Sequence, residues 1–206
     1  MAAPATPKLI EGERAERIVE AMRLSVARRG VAGSTFDHVA REAQVSRGLL
    51  HYYFGTKERL LAEVARREAA VRVAVLRERL AHAADADELL EVLVSSLRAT
   101  IRDDPEFVTV MFELFALARR HPEIAAEVEV LLASIRSEVA GVLAELDATG
   151  AISLRAPAEV VSDAIFAIGD GAALRALAEP GRDIAPLLAV LAAVARLLLD
   201  APADCG

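Results

Sequence analysis

The sequence predicts an all-α fold of about nine helices, and three observations support this prediction. Alanine, leucine, arginine and glutamate are among the commonest residues, and these residue types favour helices. Apolar residues recur at spacings of three and four along most of the chain, and no stretch alternates as a strand would. Eleven glycines and eight prolines are too few for a loop-rich sandwich, while 54% hydrophobic residues are enough for a real core.

The N-terminal residues predict an arm followed by a first helix. Residues 1–10 hold two prolines and small side chains, which is typical of a loose arm. Residues 11–29 have the helical period, and Gly30 stands where a helix would end. The apolar stripe of this helix consists of Ile18, Met22 and Val26.

Two short helices follow, joined by a tight connection. Thr35 can cap a helix over residues 36–43, because a Thr oxygen accepts from the free backbone N–H groups of a first turn. Ser46 can cap a third helix that runs through Phe54. Two short helices separated by a few residues form a helix-turn-helix arrangement.

The rest of the chain predicts six longer helices. Proline, glycine and aspartate mark most of their ends. The predicted helices cover residues 57–83, 86–102, 107–120, 122–147, 157–178 and 184–199. We therefore expect three parts: an arm at 1–10, a helix-turn-helix domain at 11–57 and a ligand-binding and dimerisation domain at 58–206.

The third helix carries a bare surface at Gly48. Its large apolar residues share the opposite side, where packing on the domain core is expected: Leu50, Tyr53 and Phe54. A glycine inside a helix costs about 1 kcal/mol relative to alanine, so its placement needs a reason. An α-helix fits the major groove of B-DNA, and a missing side chain lets the backbone approach closely. The sequence therefore predicts that this helix enters DNA.

The side chains around this glycine suit DNA contacts. Arg47 can donate to guanine O6 and N7 or to a phosphate, and Leu49 can contact a thymine methyl group. His51 and Tyr52 can donate to phosphates, which fixes the register of the helix without reading sequence.

Phosphate contacts are also expected from three other residues. Thr35 and Ser46 lie at helix N-termini, which attract anions. Lys57 begins the fourth helix, where the helix dipole disfavours a cation, so a bound phosphate would explain its position. Residues 1–70 carry a net charge of +3, although the chain as a whole carries −7 and residues 71–206 carry −10. A polyanion partner is therefore expected only at the N-terminal third.

Four segments at fixed spacing carry a resemblance to a known family. They are V-A-R-E-A at 39–43, V-S-R-G-L-L at 45–50, Y-F at 53–54 and G-T-K-E-R-L-L at 55–61. Together they resemble the DNA-binding domain of TetR-type (TetR/AcrR) transcriptional repressors. The helices beyond them, with A-I-G-D-G at 167–171, are similar in architecture to the effector-binding and dimerisation domain of that family.

The resemblance implies a role for each matched residue. It implies that Arg47, Gly48 and Leu49 reach base edges. Contacts with the DNA backbone are implied for Thr35, His51, Tyr52 and Lys57. The sequence departs from the family at His51, usually a tyrosine, which makes its phosphate contact pH-sensitive. Gln44 stands where the family often has a glycine, and glutamine fits a tight turn less readily than glycine does.

A small-molecule effector is expected between the later helices. Met111, Phe112 and Phe115 lie close together in the sequence. Their clustering is explained equally by packing in the core and by a cavity that holds a ligand. Phe166 could close such a cavity from the far side. The candidate ligand-binding residues are Met111, Phe112, Phe115, Phe166, Arg98 and Asp170, with Glu113 as a further polar anchor. The few aromatic and many aliphatic residues point to an apolar or amphipathic effector, or to a small pocket.

A homodimer is expected through the two C-terminal helices. These helices are apolar over more than one face and rich in alanine and glycine, so they could pack against a second copy as four helices. A dimer also places two recognition helices on half-sites about 34–36 Å apart or a multiple of that distance.

Other classes of protein are disfavoured. The sequence has no G-x-S-x-G, glycine-rich phosphate loop or H-E-x-x-H motif, so we expect no enzyme, cofactor or metal site. His38 and Glu42 have i, i+4 spacing but no third ligand. Cys205 stands alone, and the longest uncharged run is too short for a membrane span, so we expect a cytoplasmic protein. A helical dimeric interaction protein that no longer binds DNA remains the alternative.

Overall fold

The computed structural model describes residues 12–199 as an all-helical fold. The predicted arm at 1–10 and Cys205 lie outside these residues. The described part holds nine helices, as predicted. They are α1 (Glu13–Gly33), α2 (Phe36–Ala43), α3 (Arg47–Phe54), α4 (Lys57–Leu80), α5 (Ala86–Asp103), α6 (Pro105–Ala118), α7 (Pro122–Ala148), α8 (Ala158–Ala178) and α9 (Ala185–Leu199).

Local signals set the geometry of the N-terminal helices. Gly30 has φ 67° and interrupts α1, so the predicted stop is present, although one further turn follows it. Gln44 has φ 56° and ψ 45°, which is the left-handed conformation that closes α2. The backbone N–H of Val45 donates to the carbonyl of Ala40 at 3.0 Å. The turn therefore forms with glutamine in place of glycine.

One buried cluster joins the N-terminal helices to the body. Val39, Leu50 and Phe54 belong to it, together with Leu61 of α4 and Leu114 of α6. The core therefore continues across the predicted boundary at residue 57. A second cluster lies between α5, α7, α8 and α9. Within residues 12–199, no helix is long and apolar enough to cross a bilayer.

Candidate nucleic-acid interface and ligand cavity

The outer face of α3 is open around Gly48. Apart from the local backbone of α3, a Cβ atom at this position would have one neighbour within 4 Å among the described residues, the Ser46 Oγ at 3.9 Å. The fold itself therefore has room for a side chain here. Tyr52 is 82% exposed on the same helix, and Arg47 and His51 are also exposed.

The α3 side chains of Arg47 and Leu49, on either side of Gly48, have partners in the protein. The Arg47 Nη1 lies 3.3 Å from a carboxylate oxygen of Asp37, and both side chains are more than half exposed. Leu49 is half-buried and packs against the core, so only part of it is available to a partner. An exposed ion pair of this kind contributes about 0–1 kcal/mol, so Arg47 can leave Asp37 for a base or a phosphate at little cost.

His51 is held by a hydrogen bond that fixes its tautomer. Its Nδ1 lies 3.1 Å from the carbonyl oxygen of Gly55, and its ring packs edge-on against Phe36 at 4.9 Å. Because a carbonyl only accepts, Nδ1 must carry the proton. In the neutral ring Nε2 is then an acceptor, and it donates to a phosphate only in the imidazolium form.

The predicted capping residues occupy their expected places. The hydroxyl oxygen of Thr35 accepts from the backbone N–H of His38 at 3.3 Å, and that of Ser46 accepts from Leu49 at 3.3 Å. Each hydroxyl keeps its own hydrogen for an anion at the N-terminus of α2 or α3.

Lys57 and Glu113 both form hydrogen bonds with the backbone of Val31, Lys57 with its carbonyl group and Glu113 with its N–H group. The Lys57 ammonium donates to the Val31 carbonyl, and burial lowers the pKa of this lysine. This contact gives Lys57 a partner within the protein, while its two other N–H groups can still serve the predicted phosphate. The carboxylate of Glu113 accepts from the Val31 N–H at 3.3 Å. A Cβ at Gly30 would lie 3.2 Å from a Glu113 oxygen, so the glycine also makes room for this carboxylate.

A cavity of about 390 Å³ lies between helices α4 to α9. The predicted residues that line it are Met111, Phe112, Phe115, Phe166 and Asp170. Arg98 lies instead along an open groove between α5 and α9, because the α5 residues that line the cavity, such as Leu93, Leu97 and Thr100, share a face of the helix on which Arg98 does not lie. Glu113 is also outside the cavity, at the contact with Val31 described above.

Ionic side chains that the sequence reasoning missed lie at the edge of this cavity. They bridge helices: Arg136 of α7 to Asp163 of α8 at 2.7 Å, and Arg72 of α4 to Asp104 at the start of α6. The Arg72 guanidinium also lies over the Phe107 ring, 3.9 Å from its centroid. Asp104 could have been found as an N-cap before Pro105, but its long-range partners carry no local signal.

The residues with possible metal-ligand spacing have other partners. The His38 Nδ1 lies 3.0 Å from the carbonyl oxygen of Gly33, and Glu42 pairs with Arg28 at 2.9 Å. Within residues 12–199, no group of three or more His, Cys, Asp or Glu side chains could hold a metal ion.

An apolar strip on α8 and α9 is open to solvent. Its large side chains are between 37% and 61% exposed: Val160, Leu174, Leu177, Val190, Val194 and Leu197. Exposed apolar residues that follow two neighbouring helices in this way are typical of an association surface.

Two family models match the chain. The model for bacterial regulatory proteins of the tetR family matches residues 18–64. The model for the C-terminal part of BetI-type transcriptional repressors matches residues 86–200, which is more than half of the chain.

Individual proteins that resemble the chain are also described as transcriptional regulators. The HTH-type transcriptional regulator PksA of Bacillus subtilis is 27% identical over 187 residues, covering 85% of both chains. The HTH-type transcriptional regulator BetI of Agrobacterium fabrum is 39% identical over 61 residues, or 29% of this chain and 30% of that one.

Two crystal structures share the fold. A transcriptional regulator from Rhodococcus sp. Rha1 has a TM-score of 0.74 at 24% identity, covering 89% of this chain and 95% of the other. A TetR transcription regulator from Haloarcula marismortui also has a TM-score of 0.74, at 21% identity and the same coverage.

Proposed function

Because the chain belongs to the TetR family of helix-turn-helix transcriptional regulators, we propose that it is a repressor that binds a palindromic operator as a homodimer and is released by a small molecule. The observation that carries the proposal is the open surface at Gly48. The protein has room for a side chain there, so the fold does not require this glycine. Close approach of a DNA duplex does require it.

The proposed DNA contacts divide by chemistry. Arg47 and the exposed part of Leu49 face base edges beside Gly48. Tyr52 and the imidazolium form of His51 donate to phosphates. Phosphates at the helix N-termini are held by Thr35, Ser46 and the two free N–H groups of Lys57.

The proposed dimer uses the apolar strip of α8 and α9. Pairing two copies of the strip about a two-fold axis would make a four-helix interface and remove its large side chains from water. The same symmetry would present two α3 helices to the two halves of a palindrome.

The proposed coupling from ligand to DNA has two links. Helix α4 begins at Lys57 beside Val31 and carries the cavity-lining Leu76 further along the same helix. Helix α6 lines the cavity with Met111 and holds the Val31 N–H through Glu113. A ligand that moves either helix would shift Val31 and the domain that presents α3. The coupling free energy expected between two such sites is about 1–3 kcal/mol.

The DNA-binding part is tested with a duplex that the protein itself selects from a random-sequence pool. We expect a palindromic sequence and a two-to-one stoichiometry of chain to duplex. Arg47→Ala should reduce affinity for this duplex by about 1–3 kcal/mol, because a bidentate base contact is lost. Arg182→Ala is the matched control, since Arg182 is exposed, pairs among the described residues with the neighbouring Glu179 and lies between α8 and α9.

Two results would contradict the proposal. The first is failure to select any sequence while binding protein partners, which would favour an interaction protein that no longer binds DNA. The second is an equal affinity of wild type and Arg47→Ala at every salt concentration. The dimer is tested separately with Leu174→Glu, which should shift the protein to a monomer in sedimentation experiments and lower its affinity for the palindrome.

A further inference from the structure

An acidic side chain, Asp37, lies on the surface that is proposed to meet DNA. It stands in the first turn of α2, two residues after Thr35, and its side chain is 61% exposed. Its carboxylate accepts from the guanidinium of Arg47, with distances of 3.3 and 3.4 Å from Nη1 to the two oxygens. A carboxylate beside the arginine that is proposed to read bases repels DNA phosphates, so its placement needs a reason.

The stability of the fold does not supply this reason. An ion pair between two exposed side chains contributes little to folding, because the cost of ordering both side chains offsets their attraction. The other acidic residue of α2, Glu42, pairs with Arg28 and so joins α2 to α1. Arg41 donates to the backbone carbonyl of Asp37 at 3.3 Å and not to its carboxylate. Among the described residues, Arg47 is therefore the ionic partner of this carboxylate.

The contact with Asp37 occupies one nitrogen of the guanidinium. Both hydrogen bonds use Nη1, and the Nε and Nη2 atoms of Arg47 have no partner among the described residues. A guanidinium carries five N–H groups in one plane, and those of Nε and Nη2 point in parallel along one edge. This edge matches O6 and N7 of a guanine. Arg47 can therefore read a guanine while Asp37 still accepts from Nη1.

An arginine that is restricted in this way discriminates better between sequences. A free arginine side chain loses conformational entropy when it is fixed against a base. The contact with Asp37 restricts the side chain before DNA binds, which lowers that cost. The negative charge of Asp37 also opposes every complex in which Arg47 meets only phosphates. Both effects favour a guanine at one position over other sequences.

We infer that Asp37 is a positioning residue for DNA recognition: it orients Arg47 toward one guanine of each half-site and lowers the affinity for other sequences. This inference rests on the proposed function, because it acts within the DNA complex described there.

Asp37→Asn tests the inference by fluorescence anisotropy at low salt, with the selected duplex and a random one. Affinity for the random duplex should rise by about twofold to fivefold, since each chain loses one exposed negative charge. Selectivity, defined as the ratio of the two affinities, should fall by about fivefold or more, because a bidentate guanine contact is worth roughly fivefold to 150-fold. In an Arg47→Ala background, the same substitution should raise both affinities equally and leave selectivity unchanged.

Asp87→Asn is the matched control. Asp87 also lies in the first turn of a helix, α5, and its exposed side chain pairs with an arginine of another helix, Arg196 of α9. This variant should keep the selectivity of the wild type. Thermal unfolding should change little in either variant, because both carboxylates are exposed.

Four results would overturn the inference. The first two are an unchanged selectivity of Asp37→Asn and an unchanged affinity of this variant for the random duplex. The third is an equal loss of selectivity in Asp87→Asn. The fourth is a loss of selectivity that Asp37→Asn also causes in the Arg47→Ala background, which would mean that the carboxylate contacts a base itself. Failure of the wild type to select any duplex would overturn the proposed function as well, so the two failures are distinguishable.

Discussion

Replacing Gly48 by alanine should separate the stability of this protein from its affinity for DNA. A Cβ at Gly48 meets only the Ser46 Oγ at 3.9 Å, which is ordinary contact, so the substitution introduces no clash within the protein. Alanine is the better helix former, and the gain within α3 is about 0.5–1 kcal/mol. For a chain of this length, that gain corresponds to a rise in Tm of roughly 1–4 °C.

The same methyl group should weaken DNA binding. If α3 lies with its backbone at Gly48 against the floor of the major groove, the added carbon moves the helix outward and stretches the contact of Arg47 with its base. Loss of one bidentate base contact costs about 1–3 kcal/mol, which is roughly fivefold to 150-fold in affinity for each half-site. Binding to random duplex should change little, because phosphate contacts dominate it.

The assay compares thermal unfolding and fluorescence anisotropy at one protein concentration, using the selected duplex and a random one. Gly141→Ala is the matched control. Gly141 lies on the exposed face of α7, with nothing within 4 Å of its Cβ position, so alanine should stabilise it by about 1 kcal/mol without changing DNA affinity. Undiminished affinity of Gly48→Ala for the selected duplex would refute the reasoning.

Substitutions at three further positions test other parts of the structure. Gln44→Gly should raise the free energy of unfolding by about 0.5–1 kcal/mol in denaturant titrations, because glycine relieves the left-handed strain at φ 56°; a loss would show that the glutamine is not strained. Glu113→Ala should lower the free energy of unfolding by about 1–3 kcal/mol, because the Val31 N–H is left without an acceptor. Glu113→Gln keeps an acceptor oxygen and should lose much less. Equal losses of stability in the two variants would exclude the hydrogen bond as the cause. Asp170→Asn should stabilise the ligand-free protein near neutral pH, since the folded pKa is raised and the ionised carboxylate is disfavoured in the folded state. Measured against pH, this advantage should shrink as pH falls through the raised pKa toward about 4, and growth of the advantage in acid would contradict it.

The fold was predictable because its signals are local. Gly30 interrupts α1 near its end, the caps at Thr35 and Ser46 set the starts of α2 and α3, and periodic apolar residues indicate the other helices. The exposed face of α3 was predictable for the same reason, since 100° per residue places Gly48 opposite Leu50 within one short helix. The start of α6 was missed by two residues, because Asp104 caps a helix that begins at Pro105 itself.

Contacts between distant segments were not predictable in this way. Glu113 was expected at the cavity with its neighbours Met111 and Phe115, but it faces Val31, which is 82 residues earlier in the chain. Its direction depends on how α6 crosses α1, and helical periodicity does not specify that crossing. Arg98 is a different case, because helical periodicity turns it 100° from the cavity-lining Leu97 and toward the outer groove.

The two contacts at Val31 explain how a ligand that moves either α4 or α6 could act on the DNA-binding helices. Lys57 holds the carbonyl of this residue from α4, and Glu113 holds its N–H from α6, so one residue of the backbone connects both helices to the kink at Gly30. If a ligand separated α4 from α6, at least one of these hydrogen bonds would lengthen or Val31 would move. Gly30 is the point where such a movement is least restricted, because a glycine at positive φ has no side chain to resist it. The response can therefore reach α2 and α3 through a change at the end of α1, without any bend in α4.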